Sequence, residues 1–254
     1  MKIAVLTSGG DAPGMNAAIR AVVRTALSYK IDAFGVYDGY KGLVENKIKQ
    51  LSRNDVGQIL DRGGTILGSS RLPEFVLREI RQKAIDNLRA LDIDALVTIG
   101  GDGTYRGAMA LTEMGMPCIA LPGTIDNDIA STEYTIGFFT ALDTAIDAID
   151  KLRDTSFSHQ RCTVVEVMGR NCGDLAIYSG IACGAEIVIT RDTGFNKEEI
   201  FEQVHHAKKM GKRHLVIVVA ENITDVRELA KEINEISDYE SRACVLGYIQ
   251  RGGR

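Results

Sequence analysis

The chain has 254 residues, 45% hydrophobic and 25% charged, proportions near the globular average that exclude a collagen-like repeat, a coiled coil and a disordered chain. A chain of this length buries roughly 70 to 75% of its unfolded surface, and dividing by about 150 gives one large domain or two modest ones. With 30 Lys and Arg against 34 Asp and Glu the net charge is −4, so no basic excess points to nucleic acid or an anionic membrane, and any anion must be gripped locally.

The chain opens on an apolar run, Lys2–Thr7, too short for a signal peptide, and no run approaches the roughly 18 residues of a membrane span. Further strands are predicted at Ala33–Tyr37, Ala95–Ile99, Cys118–Leu121, Cys162–Val167, Glu186–Thr190, Leu215–Ala220 and Ala243–Ile249. Helical periods lie between them at Asn16–Leu27, Leu77–Leu91, Phe138–Arg153, Lys197–Met210 and Val226–Ile236. In the third of these, Phe138, Leu142, Ala145, Ile149 and Leu152 form one apolar stripe, and Asp143, Asp147 and Asp150 occupy the other side as a solvated face. Alternating strands and helices predict α/β architecture with mainly parallel sheets flanked by helices, where ligands bind at the carboxyl ends of strands. The polar segment Thr155–Gln160 follows the long helix, and a first lobe is expected over 1–136 with a second over 137–254. The five cysteines form no C-x-x-C and the four histidines are not spaced as metal partners. They read as small buried groups in a reducing, cytoplasmic compartment.

Three loops carry chemistry. Ser8-Gly9-Gly10-Asp11-Ala12-Pro13-Gly14 runs into a helix. Its freed N–H groups and the helix dipole suit a phosphate, although a plain strand-to-helix turn has the same composition. Gly100-Gly101-Asp102-Gly103-Thr104 lets the backbone wrap phosphates while Asp102 reaches Mg²⁺, or else Asp102 caps the following helix. In Pro122-Gly123-Thr124-Ile125-Asp126-Asn127-Asp128 two carboxylates could divide general-base work between them, or simply form a turn. The odds change because all three follow strands of one parallel sheet, where their side chains would converge.

Those loops, with Val167-Met168-Gly169-Arg170 and Leu246-Gly247-Tyr248-Ile249-Gln250-Arg251-Gly252-Gly253, stand in the order and near the spacing of bacterial ATP-dependent 6-phosphofructokinases, which the chain resembles from Met1 to its last residues. Gly-Gly-Asp-Gly-Thr alone also resembles NAD kinases and diacylglycerol kinases, but those lack the other four motifs. The resemblance implies two Rossmann-like lobes with the active site in the cleft between them. It implies ATP on Gly10, Arg71, Leu72, Gly101, Gly103 and Thr104, with Mg²⁺ on Asp102. Asp126 resembles the base that takes the proton of the 1-hydroxyl of fructose 6-phosphate, with Thr124 and Asp128 in support. Ile125, Met168, Gly169, Arg170 and Glu221 match sugar-binding positions, and Arg161, Arg242, Tyr248 and Arg251 match positions at the 6-phosphate. Arg161 and Arg242 would reach in from a neighbouring subunit, which implies a homotetramer. Gly103 and Gly123 stand where pyrophosphate-dependent relatives carry larger side chains, which favours ATP.

The resemblance also implies an effector site for ADP or phosphoenolpyruvate on Arg20, Arg24, Arg53, Arg153, Gly184, Glu186, Lys212 and Arg213. On their own, Arg20 and Arg24 would read as a solvated helix face. Three features depart from the family pattern. Met210 stands where many members have an effector-binding lysine, and Tyr248 replaces a histidine that touches the sugar phosphate. After Gly253 the family continues with Ser-Pro or Thr-Pro and further elements, so the expectation is a second lobe lacking its C-terminal part.

Overall fold

The apolar runs become strands because helices cover both of their faces. In β1 (Lys2–Ser8) the residues Ala4 to Thr7 are at most 1% exposed, as in a central strand of a parallel sheet. There follow α1 (Met15–Ser28), β2 (Asp32–Val36), α2 (Gly39–Val44), β3 (Ile48–Leu51), a 3-10 turn at Pro73–Val76, α3 (Arg78–Ala90), β4 (Ala95–Gly100), α4 (Asp102–Glu113), β5 (Cys118–Thr124) and β6 (Ile136–Gly137). The computed structural model describes residues 1–130 and 132–253; Arg254, the last residue of the expected second lobe, lies outside them. These strands form one sheet in the order β3-β2-β1-β4-β5-β6, parallel except for the β2–β3 pair. The registers Ser8 to Gly100 and Gly100 to Pro122 bring the carboxyl ends of β1, β4 and β5 side by side.

The rest of the chain adds α5 (Phe138–His159), β7 (Arg161–Val167), α6 (Asp174–Cys183), β8 (Ile187–Ile189), α7 (Lys197–Lys209), β9 (Leu215–Ala220), α8 (Val226–Ile236), β10 (Glu240–Val245) and a 3-10 turn at Gly247–Arg251. Its sheet, β10-β7-β9-β8, is parallel throughout. Every residue of β9 is buried. Leu215, Ile217 and Val219 pack with Ile200 and Ile233 of α7 and α8, while Val216 and Val218 pack with Ile149 and Ala176 of α5 and α6. By contact the chain divides into two units, Met1–Ile125 with Ile129–Gly137 and Gly253, and Asp126–Asp128 with Phe138–Gly252. Among the described residues no helix is long and apolar enough to cross a membrane.

Besides adding α2, β3 and β6, which the periodicity did not predict, the structure departs from it along α5, at the last strand and at two glycine-bearing helices. The polar segment after Asp154 is the last turn of α5, not a connection. Ser156 and Ser158 donate to the carbonyls of Leu152 and Asp154 at 2.8 and 3.0 Å, and Ser156 also bonds Thr163, so a polar sequence completes a helix by satisfying itself. The acids of α5 are partly paired, Asp147 to Lys151 and Asp150 to Arg153. The predicted strand Ala243–Ile249 shifts toward the N-terminus: β10 ends at Val245, and Gly247, with φ of +54°, turns the chain into the 3-10 segment. Helices α4 and α6 escaped the periodic pattern because glycines interrupt it. A Cβ at Gly107 would sit 2.6 Å from the Tyr40 ring, and one at Gly180 would sit 2.4 Å from a Val188 methyl, so close packing requires both. All five cysteines are free, with Cys162 and Cys183 buried and the others half-buried.

Candidate functional site

In the first unit the glycine loops end adjacent strands. Gly9 takes φ of +86° and Gly14, before α1, takes +91°, conformations that L side chains resist. A Cβ on Gly10 or on Gly103 would meet nothing within 4 Å, so the backbone at both positions borders open space. Gly123 differs, because a Cβ there would lie 2.8 Å from the Ile99 Cγ2 methyl, inside the core. Of the two glycines expected to leave room for a donor, only Gly103 faces open space.

Thr104 is buried. Its Oγ1 donates to the Ser8 carbonyl at 3.0 Å and its N–H to Gly101 O at 2.9 Å, so the side chain fixes the turn instead of facing outward. Tyr40 Oη donates to the Thr104 carbonyl at 2.6 Å, its ring stacks on Phe75 at 4.3 Å, and burial pushes its hydroxyl far above the ordinary range. Asp102 lies in the first turn of α4, where the helix dipole favours its charge, and Arg106 Nη2 reaches it at 3.0 Å. Among the described residues no group of three His, Cys, Asp or Glu side chains gathers as a metal site. A single carboxylate beside an open glycine turn fits Mg²⁺, which keeps waters and takes phosphate oxygens as its other ligands.

The segment leading to Arg71 is stapled to the first loop by residues that motif spacing did not single out. Buried Asn16 donates to the carbonyls of Arg62 and Gly63 at 3.0 and 3.2 Å and accepts from Ile66 N at 2.7 Å. Thr7 Oγ1 donates to Gly68 O at 2.9 Å, and Ser69 Oγ donates to Gly9 O at 2.6 Å. Arg71 itself is exposed, and Leu72 packs on the core. Asn16 stands at helical spacing with Ile19, Val23 and Ala26 on the buried face of α1, and a polar residue in that apolar stripe is the sequence signal that marks it.

In the second unit Asp126, Asn127 and Asp128 are all half-buried. Asn127, at φ of +55°, donates to Asp174 at 2.7 Å, and Asp128 Oδ2 meets Arg170 Nη1 at 3.5 Å while its Oδ1 is buried without a hydrogen-bond partner. The Met168–Arg170 turn is held from its backbone. Glu221 Oε1 accepts from the N–H of Gly169 at 3.1 Å and from that of Arg170, and Gln250 Oε1 accepts from Met168 N at 2.7 Å. Arg161 and Arg242 both bond Glu240. Tyr248 is 91% exposed, and Arg251 donates to Gly252 O at 2.9 Å. Ile125 and Thr124 belong to the first unit, Ile125 buried and the Thr124 carbonyl accepting from Thr135 at 2.7 Å.

The expected effector residues fall in both units, Arg20, Arg24 and Arg53 in the first and the others in the second. Arg20 donates to Val56 O at 2.6 Å and Arg24 to Arg53 O at 3.4 Å. Burial, and then the charges of Arg20 and Arg53, lower the pKa of Arg24 from its ordinary value. In the second unit Arg153 donates to Cys183 O at 2.6 Å, next to Gly184 at φ of +65°. Glu186 takes Lys212 at 2.8 Å and Val216 N at 2.7 Å, and Arg213 lies 5.0 Å from the Phe157 ring centre. Met210, 70% exposed, borders a cavity of about 630 Å³ with Glu186, His206 and Lys212.

The chain is 61% identical over 253 residues to an ATP-dependent 6-phosphofructokinase of Aliivibrio fischeri (strain MJ11), covering all of this chain and 79% of that one. It superposes on phosphofructokinase from Saccharomyces cerevisiae with a TM-score of 0.90 at 38% identity, and on that from Pichia pastoris with 0.93 at 38% identity. In both cases 99% of this chain is covered, which amounts to 38% and 30% of those longer chains. The phosphofructokinase family model matches residues 2–254. Matched along nearly its whole length and carrying glycine turns at the ends of β1 and β4, the chain belongs to the phosphofructokinase family.

Proposed function

We propose that this chain is an ATP-dependent 6-phosphofructokinase. It moves the γ-phosphoryl group of ATP to the 1-hydroxyl of D-fructose 6-phosphate, giving fructose 1,6-bisphosphate and ADP, the committed step of glycolysis. One observation carries the reading. The carboxyl ends of β1, β4 and β5 lie side by side, setting the two glycine turns and Thr124 along one sheet edge, in a chain 61% identical to a bacterial protein of that name.

Phosphoryl transfer asks the protein chiefly for positioning and charge neutralisation. The first unit is the nucleotide lobe: Gly10, Leu72 and the Gly101–Thr104 turn seat ATP, and Arg71 follows the transferred charge. Asp102 holds Mg²⁺, which when bound neutralises phosphate charge. Asp126 takes the proton from the 1-hydroxyl oxygen as it attacks, with Thr124 and Asp128 in support and Arg170 beside Asp128. The second unit is the sugar-phosphate lobe: Met168, Gly169, Arg170 and Glu221 take the sugar together with Ile125, and Arg161, Arg242, Tyr248 and Arg251 take its 6-phosphate. Arginine suits that task because its planar fork bonds phosphate in a bidentate manner. Tyr248 offers one hydroxyl donor and, unlike the histidine it replaces, has no cationic form.

The working assembly on this reading is a cytoplasmic homotetramer in which Arg161 and Arg242 serve a neighbouring subunit. ADP or phosphoenolpyruvate is the effector, held by Arg20, Arg24, Arg53, Arg153, Gly184, Glu186, Lys212 and Arg213. Open space at Gly103 favours ATP over pyrophosphate as donor. The test is steady-state turnover of fructose 6-phosphate with Mg²⁺ and either donor, comparing the native chain with Asp126→Ser. Turnover with ATP that falls by about 10²- to 10⁴-fold in the variant is expected of a lost general base. An unchanged rate overturns the assignment of Asp126, and turnover with pyrophosphate alone overturns the donor.

A further inference from the structure

Arg161 opens β7 and Glu240 opens β10, and the parallel register sets them directly opposite one another. Arg242 lies two residues beyond Glu240 and therefore on the same face of the strand. Both carboxylate oxygens of Glu240 are engaged. Oε2 accepts from Arg161 Nε at 2.9 Å, and Oε1 accepts from Arg242 Nε at 3.0 Å and from its Nη2. The side chains of Arg161, Glu240 and Arg242 are 27%, 45% and 68% exposed, so the cluster is open to a ligand from solvent. Two cations and one anion leave a single net positive charge at a place where two guanidiniums on neighbouring strands form a ready anion clamp. Hydrogen bonds from the two arginines hold the Glu240 carboxyl below its ordinary range, so it stays ionised at neutral pH.

We infer that Glu240 is a positioning residue and an internal competitor for Arg161 and Arg242, which engage an incoming phosphate monoester only as it displaces the carboxylate. The inference rests on the reading that these arginines take the sugar 6-phosphate, whichever subunit's sugar they serve. Glu240 restrains both guanidiniums in one place, keeps them from repelling each other, and opposes any anion too weakly charged to replace it. Its own charge works against the dianion it admits.

The test compares the native chain with Glu240→Gln and Glu240→Asp. Removing a negative charge a few ångströms from a bound phosphate in a solvent-exposed cluster should lower KM for fructose 6-phosphate by about three- to tenfold, with kcat within about twofold. Glu240→Asp, which restores the charge, should return KM toward the native value, and in an Arg242→Gln background Glu240→Gln should shift KM less. An unchanged or raised KM in Glu240→Gln overturns the inference, as does an equal shift in the Arg242→Gln background. A second arm needs no turnover: inorganic phosphate should raise the melting temperature of Glu240→Gln at lower concentration than that of the native chain, and equal midpoints overturn the inference. If the native chain turns over no sugar phosphate the functional reading fails, and the phosphate arm still decides the role of Glu240.

Discussion

Gly103 and Gly123 belong to similar glycine motifs, yet Gly103 lies in the first turn of α4 and Gly123 inside β5, which runs on through the residues expected to open the third loop, and their surroundings give them different roles. Beyond the Cα of Gly103 there is open space, whereas Gly123 is packed against Ile99. Gly103→Asp should therefore fold, helped by an acid in the first turn of a helix, and should raise KM for ATP by at least about tenfold, or about 1.4 kcal/mol of binding. Its melting temperature should stay close to that of the native chain. Gly123→Ala should instead lower stability by about 1 to 3 kcal/mol through overpacking, seen as a lower denaturation midpoint. A Gly103→Asp variant with native KM for ATP would remove Gly103 from the nucleotide site. Asp102 and Asp126 stood out as candidates in the chain because their motifs are dense in glycine and acid. Tyr40 and Gln250 did not, because each acts on a loop remote in sequence, and no local spacing records a bond across 64 or 82 residues.

Among the elements, the strands with continuous apolar runs were the most legible, β9 above all, since burial on both faces leaves no polar position to blur the run. Helices α4 and α6 were hidden by the glycines that let them pack. The last turn of α5 was hidden because three serine and threonine positions read as a connection. At the carboxyl end of β7, burial and then the charges of Glu221 and Asp225 raise the carboxyl of Glu166 above its ordinary 4.5. A folded-state pKa above the unfolded one means that the folded protein binds this proton more tightly. The associated stability is present below pH 4.5 and is lost as pH rises through the raised value. Glu166→Gln should therefore raise the melting temperature at pH 8 and leave it nearly unchanged at pH 4, measured by calorimetry at both. A gain of equal size at the two pH values would show that charge is not the cause.

For the molecule as a whole, the proposed division of labour is testable by amide hydrogen exchange with each ligand alone. ATP with Mg²⁺ should slow exchange at residues 9–14 and 100–104, and fructose 6-phosphate should slow it at 168–170 and 246–251. Protection by ATP confined to the second set would reverse the lobe assignment. By itself the sequence determined the α/β class, the mainly parallel sheets and the positions of the glycine- and acid-rich loops proposed to bear chemistry. These are consequences of local periodicity and of glycine and acid concentrated in short segments, and the motif order carried the family. Only the tertiary structure decided that β1, β4 and β5 lie side by side, that Gly103 is open while Gly123 is filled, and that one carboxylate, Glu240, holds Arg161 and Arg242 together. Strand order, the space beyond a Cα and the partner of a charge arise from residues brought together by packing, and linear spacing does not encode that proximity.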